Sequence, residues 1–99
     1  MVARRSDAQV SAERFTKHPL TDRVDSSAGY SIRLRRDRIE YTDQLGTQVI
    51  QAEWSPGRGT RVMVFISGVP DDSHRRREDT LGNIARAFDA AGWHLSIRE

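Results

Sequence analysis

The residues with the most capacity for chemistry are clustered in one segment. It contains carboxylate, hydroxyl, imidazole and guanidinium groups in the order Asp71, Asp72, Ser73, His74, Arg75, Arg76, Arg77, Glu78 and Asp79. The two aspartates and the histidine could begin a metal site, and the three arginines could clamp a phosphate. A metal site also needs a further ligand from elsewhere and dry surroundings, which the sequence does not indicate. Adjacent helical residues point about 100° apart, so the arginines cannot form one stripe.

The same segment also has a structural interpretation. If a helix begins inside it, Asp72 with Arg76 and Arg75 with Asp79 form i,i+4 ion pairs worth about 0.2–0.5 kcal/mol each. Three cations in a first helical turn oppose the helix dipole, by about 0.3–1 kcal/mol each at low salt. Either the neighbouring aspartates offset this cost or a bound partner does, and the sequence leaves both interpretations open.

A second basic group could contact RNA. It consists of Arg33, Arg35, Arg36 and Arg38. A platform for base stacking would interleave aromatic residues on the same face, whereas Tyr30 and Tyr41 are predicted to face the core. Catalytic spacing is not evident either, because the three histidines lie in different predicted elements and select no Ser-His-Asp set.

Composition narrows the class of protein. The 99 residues are 36% hydrophobic and 30% charged, which suits one small globular domain. Sixteen basic groups and fourteen acidic groups leave a net charge of only +2. The absence of cysteine excludes disulfides and thiol chemistry and makes the cytoplasm the default compartment. No apolar segment approaches the about 20 residues of a membrane span, and the first residues lack the apolar stretch of a secretory signal.

The elements that must position these groups begin late in the chain. Residues 1–28 contain only a weak helical spacing of Ala8, Ala12 and Phe15, which Pro19 would end. A polar, turn-rich segment follows. We predict a mobile N-terminal arm or short helix over residues 1–28 and a single α+β domain over residues 29–99.

Two hairpins are predicted from alternating apolar residues. The first spans residues 30–42 and places Leu34 opposite Ile39. The second has strands over residues 47–54 and 60–67, separated by a Pro-Gly turn, and places Val62 opposite Ala52.

A helix and a final strand complete the prediction. The helix follows a break at residues 68–73, ends at Gly92, and presents one apolar stripe made of Leu81, Ile84, Ala85, Phe88 and Ala91. Alternation after Gly92 predicts the last strand. The fold class is therefore α+β, a twisted and mainly antiparallel sheet in the order β-β-β-β-α-β with one main helix packed on one face.

Three segments of this pattern are similar to a known family. They are Arg38-Ile39-Glu40-Tyr41-Thr42-Asp43 on a strand, the break Ser67-Gly68-Val69-Pro70, and Gly82-Asn83-Ile84-Ala85-Arg86-Ala87-Phe88 on a helix that closes with Ala91-Gly92. Through them residues 30–98 resemble small bacterial immunity proteins of polymorphic-toxin and contact-dependent growth inhibition systems, nearest to the family numbered immunity protein 74. That family usually has a tryptophan at the position of Val69.

The resemblance implies a non-enzymatic protein that binds one cognate toxin domain, often a nuclease, and blocks it without a cofactor, a metal or a membrane. Toxin nucleases tend to present basic clefts, so charged groups of the inhibitor are the expected contacts. We assign partner binding to Asp43, Asp71, Asp72, His74, Arg75 and Glu78. The alternatives are an RNA-binding module that uses Arg33, Arg35, Arg36 and Arg38, and an enzyme with an unrecognised site.

Overall fold

A seven-stranded sheet and one long helix make up the fold. The computed structural model describes residues 13–55 and 59–99. Strands neighbour one another in the sheet in their chain order. Their bounds are β1 Phe15–His18, β2 Arg23–Ser26, β3 Ser31–Leu34, β4 Arg38–Asp43, β5 Gly46–Ser55, β6 Arg61–Phe65 and β7 His94–Arg98. A 3-10 turn, Ile66–Gly68, and helix α1, Arg77–Ala91, connect β6 to β7.

The α+β class is confirmed, but the order β-β-β-β-α-β is incomplete. Strands β1 and β2 precede the first predicted hairpin and pair antiparallel with each other. They occupy part of the segment that we predicted as an arm or short helix. Each has four residues, too few to produce a legible period-two pattern, yet Val24 of β2 is 1% exposed. The first twelve residues lie outside the described part of the chain, where the arm remains a prediction.

The predicted register of the first hairpin is confirmed. Leu34 faces Ile39 and Ile32 faces Tyr41 across the β3–β4 pair, and all four side chains are buried. Apolar alternation and turn length both favour this register, so the two signals agree.

The predicted register of the second hairpin is wrong by two residues. Ala52 faces Val64 instead of Val62, and Val62 faces Trp54. A shift of two positions keeps every side chain on its own face of the sheet, because the side-chain period of a strand is two. The hydrophobic pattern therefore fits both registers equally well.

Strand β5 is ten residues long because its first part pairs with one neighbouring strand and its last part pairs with the other. Residues 46–51 pair with β4, and residues 52–55 pair with β6. Its buried apolar side chains Ile50 and Ala52 lie at the point where pairing with β4 ends and pairing with β6 begins. The sheet therefore curls about β5, and the core lies on the side that faces α1.

Helix α1 packs against the core with four of the five residues of the predicted stripe. Ile84 and Phe88 are buried as expected, and Leu81 and Ala91 are partly buried. Ala85 is exposed, while Thr80 and Ala87 are buried in its place. The ring of Phe88 meets the buried ring of Trp93 edge to face, with centroids 5.4 Å apart. This contact packs the residue after the helix end against the buried face of α1.

The end of α1 is the predicted glycine cap. Gly92 has φ 78°, in the left-handed region that glycine adopts without strain, and its N–H donates to the carbonyl groups of Asp89 and Phe88. The next residue donates its N–H to the Phe88 carbonyl at 2.8 Å. The chain then enters β7, which pairs parallel with β6.

Two leucines offer a matched test of this core. Leu34 is 5% exposed and Leu20, in the β1–β2 turn, is 95% exposed. We expect Leu34→Ala to lower the free energy of unfolding by about 2–5 kcal/mol, and Leu20→Ala to change it by less than about 0.5 kcal/mol. Urea unfolding at neutral pH measures both. Equal midpoints for the two variants would contradict the packing described for β3.

Candidate functional site

The loop before α1 is shaped by its own carboxylates. Asp72 Oδ1 accepts hydrogen bonds from the N–H groups of His74 and Arg75, at 2.8 and 2.9 Å. Asp71 Oδ1 accepts the N–H of Arg77 at 2.8 Å, which satisfies a free donor at the start of the helix. The residue at the N-cap position, Arg76, makes no such side-chain bond. Two of the predicted contact residues therefore have structural roles.

The predicted i,i+4 ion pairs do not form. Arg75 and Arg76 precede the helix, which begins at Arg77, so their partners differ from those expected. Arg76 instead lies 3.7 Å from Glu78, and both side chains are more than two-thirds exposed. Only one of the three arginines lies in the first turn, together with Glu78 and Asp79. The expected conflict with the helix dipole is absent because two acids complement it there.

A nearly buried ion pair joins the loop to the sheet. The guanidinium of Arg75 binds both carboxylate oxygens of Asp43, with an Nε–Oδ2 distance of 3.1 Å. The two side chains are only 12% and 13% exposed. Arg75 also donates to the carbonyl of Gly46 and lies 6.0 Å from the centre of the Tyr41 ring. The structure thus brings together two predicted site residues, but they bind each other.

The pKa values of this region follow from the same contacts. Burial raises the pKa of the Asp43 carboxyl group, but hydrogen bonds from Arg75 and from the Leu45 N–H outweigh this and hold the pKa below its ordinary value. The carboxylate in turn raises the pKa of Arg75. Hydrogen bonds from the backbone N–H groups of His74 and Arg75 lower the pKa of Asp72. Asp43 is therefore ionised at neutral pH and bound by cationic and backbone donors.

The loop leaves His74 and Glu78 exposed, and it also exposes Asp71 and Asp72, whose Oδ1 atoms accept backbone N–H groups. The imidazole of His74 lies 3.3 Å from the hydroxyl of Ser73, measured from Nδ1 to Oγ. Within the described ranges, no three His, Cys, Asp or Glu side chains are grouped so that they could hold a metal ion. The loop therefore exposes charged side chains, and its described residues form no cluster suited to metal binding.

A second polar cluster, which the sequence analysis missed, lies between α1 and the first strands. Glu13 Oε2 accepts hydrogen bonds from the hydroxyl groups of Ser26 and Tyr30, and Oε1 accepts one from Arg86 at 3.1 Å. The Glu13 side chain is 11% exposed. Burial raises the pKa of Glu13, but the three donors lower it below its ordinary value. No signal of spacing could have found the cluster, because its members are far apart in the chain.

The cluster continues along the helix to the Arg75 pair. The side-chain amide of Asn83 accepts a hydrogen bond from Arg86 and donates one to the hydroxyl of Tyr41 at 2.8 Å. The backbone carbonyl of Asn83 accepts a hydrogen bond from the hydroxyl of Tyr30 at 3.2 Å. The two tyrosine rings stack with centroids 5.7 Å apart. Burial, the largest cause, raises the pKa of both tyrosines. Both oxygens of Glu13 accept bonds, so the cluster ties α1 to the first strands.

The sheet face that points away from α1, here called the outer face, has no buried side chain among the described residues. Strand pairing and alternation place its members in cross-strand rows. Its charged groups are His18, Arg23, Asp25, Arg33, Arg38, Glu40, Glu53, Arg61, His94 and Arg98. Its apolar groups are Val49, Met63 and Phe65, and its other members are Thr16, Ser31, Thr42, Thr47, Gln51 and Ser96.

The hairpin arginines of the RNA-binding alternative lie on the outer face or beside it. Glu40 lies 3.4 Å from Arg35 and 3.5 Å from Arg38, so one carboxylate bridges both cations. Arg33 faces Glu40 in the register but forms no ion pair within the described part of the chain. Arg36 also forms no ion pair there. The Glu40 carboxylate thus reduces the repulsion between the neighbouring cations Arg35 and Arg38.

The outer face also exposes large apolar side chains. Val49 is 59% exposed and lies opposite Glu40, and Phe65 is 39% exposed and lies opposite Arg98. Tyr30 and Tyr41, by contrast, are buried in the core as expected. This face therefore combines apolar groups with charges of both signs.

Comparisons with protein-family models, with curated proteins and with solved structures give no match for this chain. The resemblance to immunity proteins accordingly rests on the segments named above. None of the helices in the described residues is long and apolar enough to cross a membrane.

Two aspartates offer a matched test of the ion pair. Asp43 and Asp37 each pair with an arginine, but the side chain of Asp37 is 74% exposed. We expect Asp43→Asn to lower the free energy of unfolding by about 1.5–3 kcal/mol, since hydrogen bonds to a charged group are lost. Asp37→Asn should change it by less than about 0.5 kcal/mol. Urea unfolding at neutral pH would contradict the structural role of Asp43 if both variants lost the same amount.

The same pair predicts a pH dependence. The folded-state pKa of Asp43 is below its ordinary value, so its stabilising effect is complete above that ordinary value and is lost as pH falls through the folded pKa. We expect the stability difference between the parent and Asp43→Asn to shrink between about pH 5 and pH 2. Urea midpoints across this range measure the difference, and a constant difference would exclude the assigned role.

Proposed function

We propose that this protein binds a cognate toxin domain in the cytoplasm and neutralises it without turnover of its own. The toxin is expected to be a nuclease, as the family resemblance implies. The observation that carries the proposal is the outer face, a rigid sheet surface on which Val49 and Phe65 are exposed among charges of both signs. Apolar anchors surrounded by polar groups are typical of protein interfaces.

Charge favours a protein partner over RNA. A nucleic-acid backbone is best matched by cations that are free to neutralise phosphates. Here Glu40 binds Arg35 and Arg38, and Asp25 binds Arg23 at 2.8 Å. Of the four candidate arginines, only Arg33 and Arg36 lack an ion pair within the described residues. Carboxylates placed among the arginines would repel phosphates, whereas they can pair with the cations of a basic toxin cleft.

The outer face is a better contact surface than the loop before α1. Asp43, Asp71, Asp72 and Arg75 all hold internal partners, and replacing them would disturb the loop itself. The outer face is fixed by strand pairing, so little conformational entropy is lost when a partner binds. His74 and Glu78 can contribute at the rim without being essential.

The test uses the toxin domain encoded directly beside this chain in the same genome. We expect the double variant Val49→Ala, Phe65→Ala to weaken binding by about thirtyfold or more, because two apolar anchors are lost. Titration calorimetry measures the affinity, and co-expression measures cell survival. The matched control is Leu20→Ala with Leu45→Ala, which truncates two exposed leucines in turns, away from the outer face.

Three results would redirect the proposal. If the double variant binds like the parent while His74→Ala with Glu78→Lys loses binding, the interface lies on the loop. If the parent ignores the toxin and binds RNA with an affinity that falls steeply with salt, the RNA-binding alternative replaces the proposal. If the parent converts a substrate of its own, the protein is an enzyme.

A further inference from the structure

The two edges of the sheet differ in their protection. Edge strands expose unpaired backbone groups, and proteins commonly block them with short strands, lysine or proline. Strand β1 has four residues, carries Lys17 and is followed by Pro19. Strand β7 has five residues, contains no lysine, proline or acidic residue, and pairs on one side only within the described residues. The open edge of β7 therefore lacks lysine and proline, and its charged residue Arg98 lies at the end of the strand.

The backbone groups on this open edge can be assigned. The N–H of His94 donates to the carbonyl of Thr60 at 2.7 Å, so His94 points toward β6. Backbone groups of successive residues in a strand alternate in direction. Ser96 and Arg98 therefore also bond toward β6, and Leu95 and Ile97 direct their N–H and C=O groups outward.

The side chains of the same two residues are incompletely covered. Leu95 and Ile97 face Val62 and Val64 across the parallel pair and share the core side of the sheet. Val64 is fully buried, whereas Ile97 is 43% exposed. Leu95 is partly buried and packs against the core, so the covering of the core side decreases along β7 toward Ile97. As far as the described residues show, the edge combines backbone groups that pair with no other strand and an exposed apolar side chain.

We propose that two copies of this chain pair through β7, antiparallel about a two-fold axis at Ser96. In this register Leu95 of each copy lies opposite Ile97 of the other, and these two residues exchange four backbone hydrogen bonds. The apolar side chains cover each other on the core side. Ser96 lies opposite its own counterpart in the position where antiparallel strands approach most closely.

A second copy fits this edge because β7 is complementary to itself. Reversing the strand about Ser96 places an apolar residue opposite an apolar residue and His94 opposite Arg98, with no carboxylate buried. A two-fold contact of this kind is closed, so it ends at a dimer. Pairing uses the edge and the core side only. The outer face stays free in the dimer, and the inference therefore goes beyond the proposed function.

Engineered cysteines test the register directly, since the chain has no cysteine of its own. Ser96→Cys places two Cα atoms about 4.5 Å apart, within the range that a disulfide spans. Arg98→Cys is the matched control, because its counterpart lies about 13 Å away along the strand. We expect mild oxidation to convert Ser96→Cys to a covalent dimer, reversed by reductant, while Arg98→Cys remains monomeric on a denaturing gel.

A charged substitution at the β7 edge tests the association without covalent cross-linking. We expect Ile97→Lys to weaken dimerisation about tenfold or more, because it opposes an apolar residue with a cation at both ends of the pairing. The control is Leu45→Lys, which adds the same charge at another exposed leucine. Sedimentation over a wide concentration range measures the dimer constant of each variant.

The proposal has clear contrary outcomes. A parent that sediments as a monomer at every concentration overturns it, provided that Ser96→Cys cross-links no faster than Arg98→Cys. Faster cross-linking of Arg98→Cys excludes the register. Unchanged dimerisation of Ile97→Lys, with circular dichroism like that of the parent, places the dimer contact elsewhere.

Discussion

The placement of every other strand depends on the pairing of β5 to both halves of the sheet. Its first six residues hydrogen-bond to β4 and its last four to β6, while Ile50 and Ala52 keep their side chains in the core throughout. This requirement permits register shifts only in steps of two. The curl of the sheet follows from it, and so do the concave side that accepts α1 and the exposed opposite side.

Some charged residues of this chain hold its elements together and others are exposed on its surface, and the sequence does not distinguish the two groups. Asp71, Asp72 and the Asp43–Arg75 pair hold the loop before α1, and Glu13 with Arg86 holds the helix itself. Removing one partner of such a nearly buried pair leaves a charge without compensation. Exposed charges without an ion pair among the described residues, such as Arg61 and Arg98 on the outer face, do not have this structural role.

Local sequence signals correctly predict one strand register and the end of the helix. The register of β3 with β4 follows from alternation and a short turn, and the end of α1 follows from Gly92. The register of β5 with β6 does not, since two alignments bury the same residues. Residue type predicts Asp43 and Arg75 as contact residues one by one. Their pairing with each other depends on the loop before α1 packing against the distant end of β4. The spacing of residues in the sequence does not predict a tertiary contact of this kind.

The parallel pairing of β6 with β7 has a consequence for the order of folding. The six antiparallel strands pair neighbours in the chain, so each step closes a short loop at a small cost in entropy. Arg61 meets His94 only after the whole helical connection has been brought back along the sheet. Contacts of long sequence separation form slowly. The docking of β7 is thus expected to be the late event in folding, with the helix already seated on a formed meander.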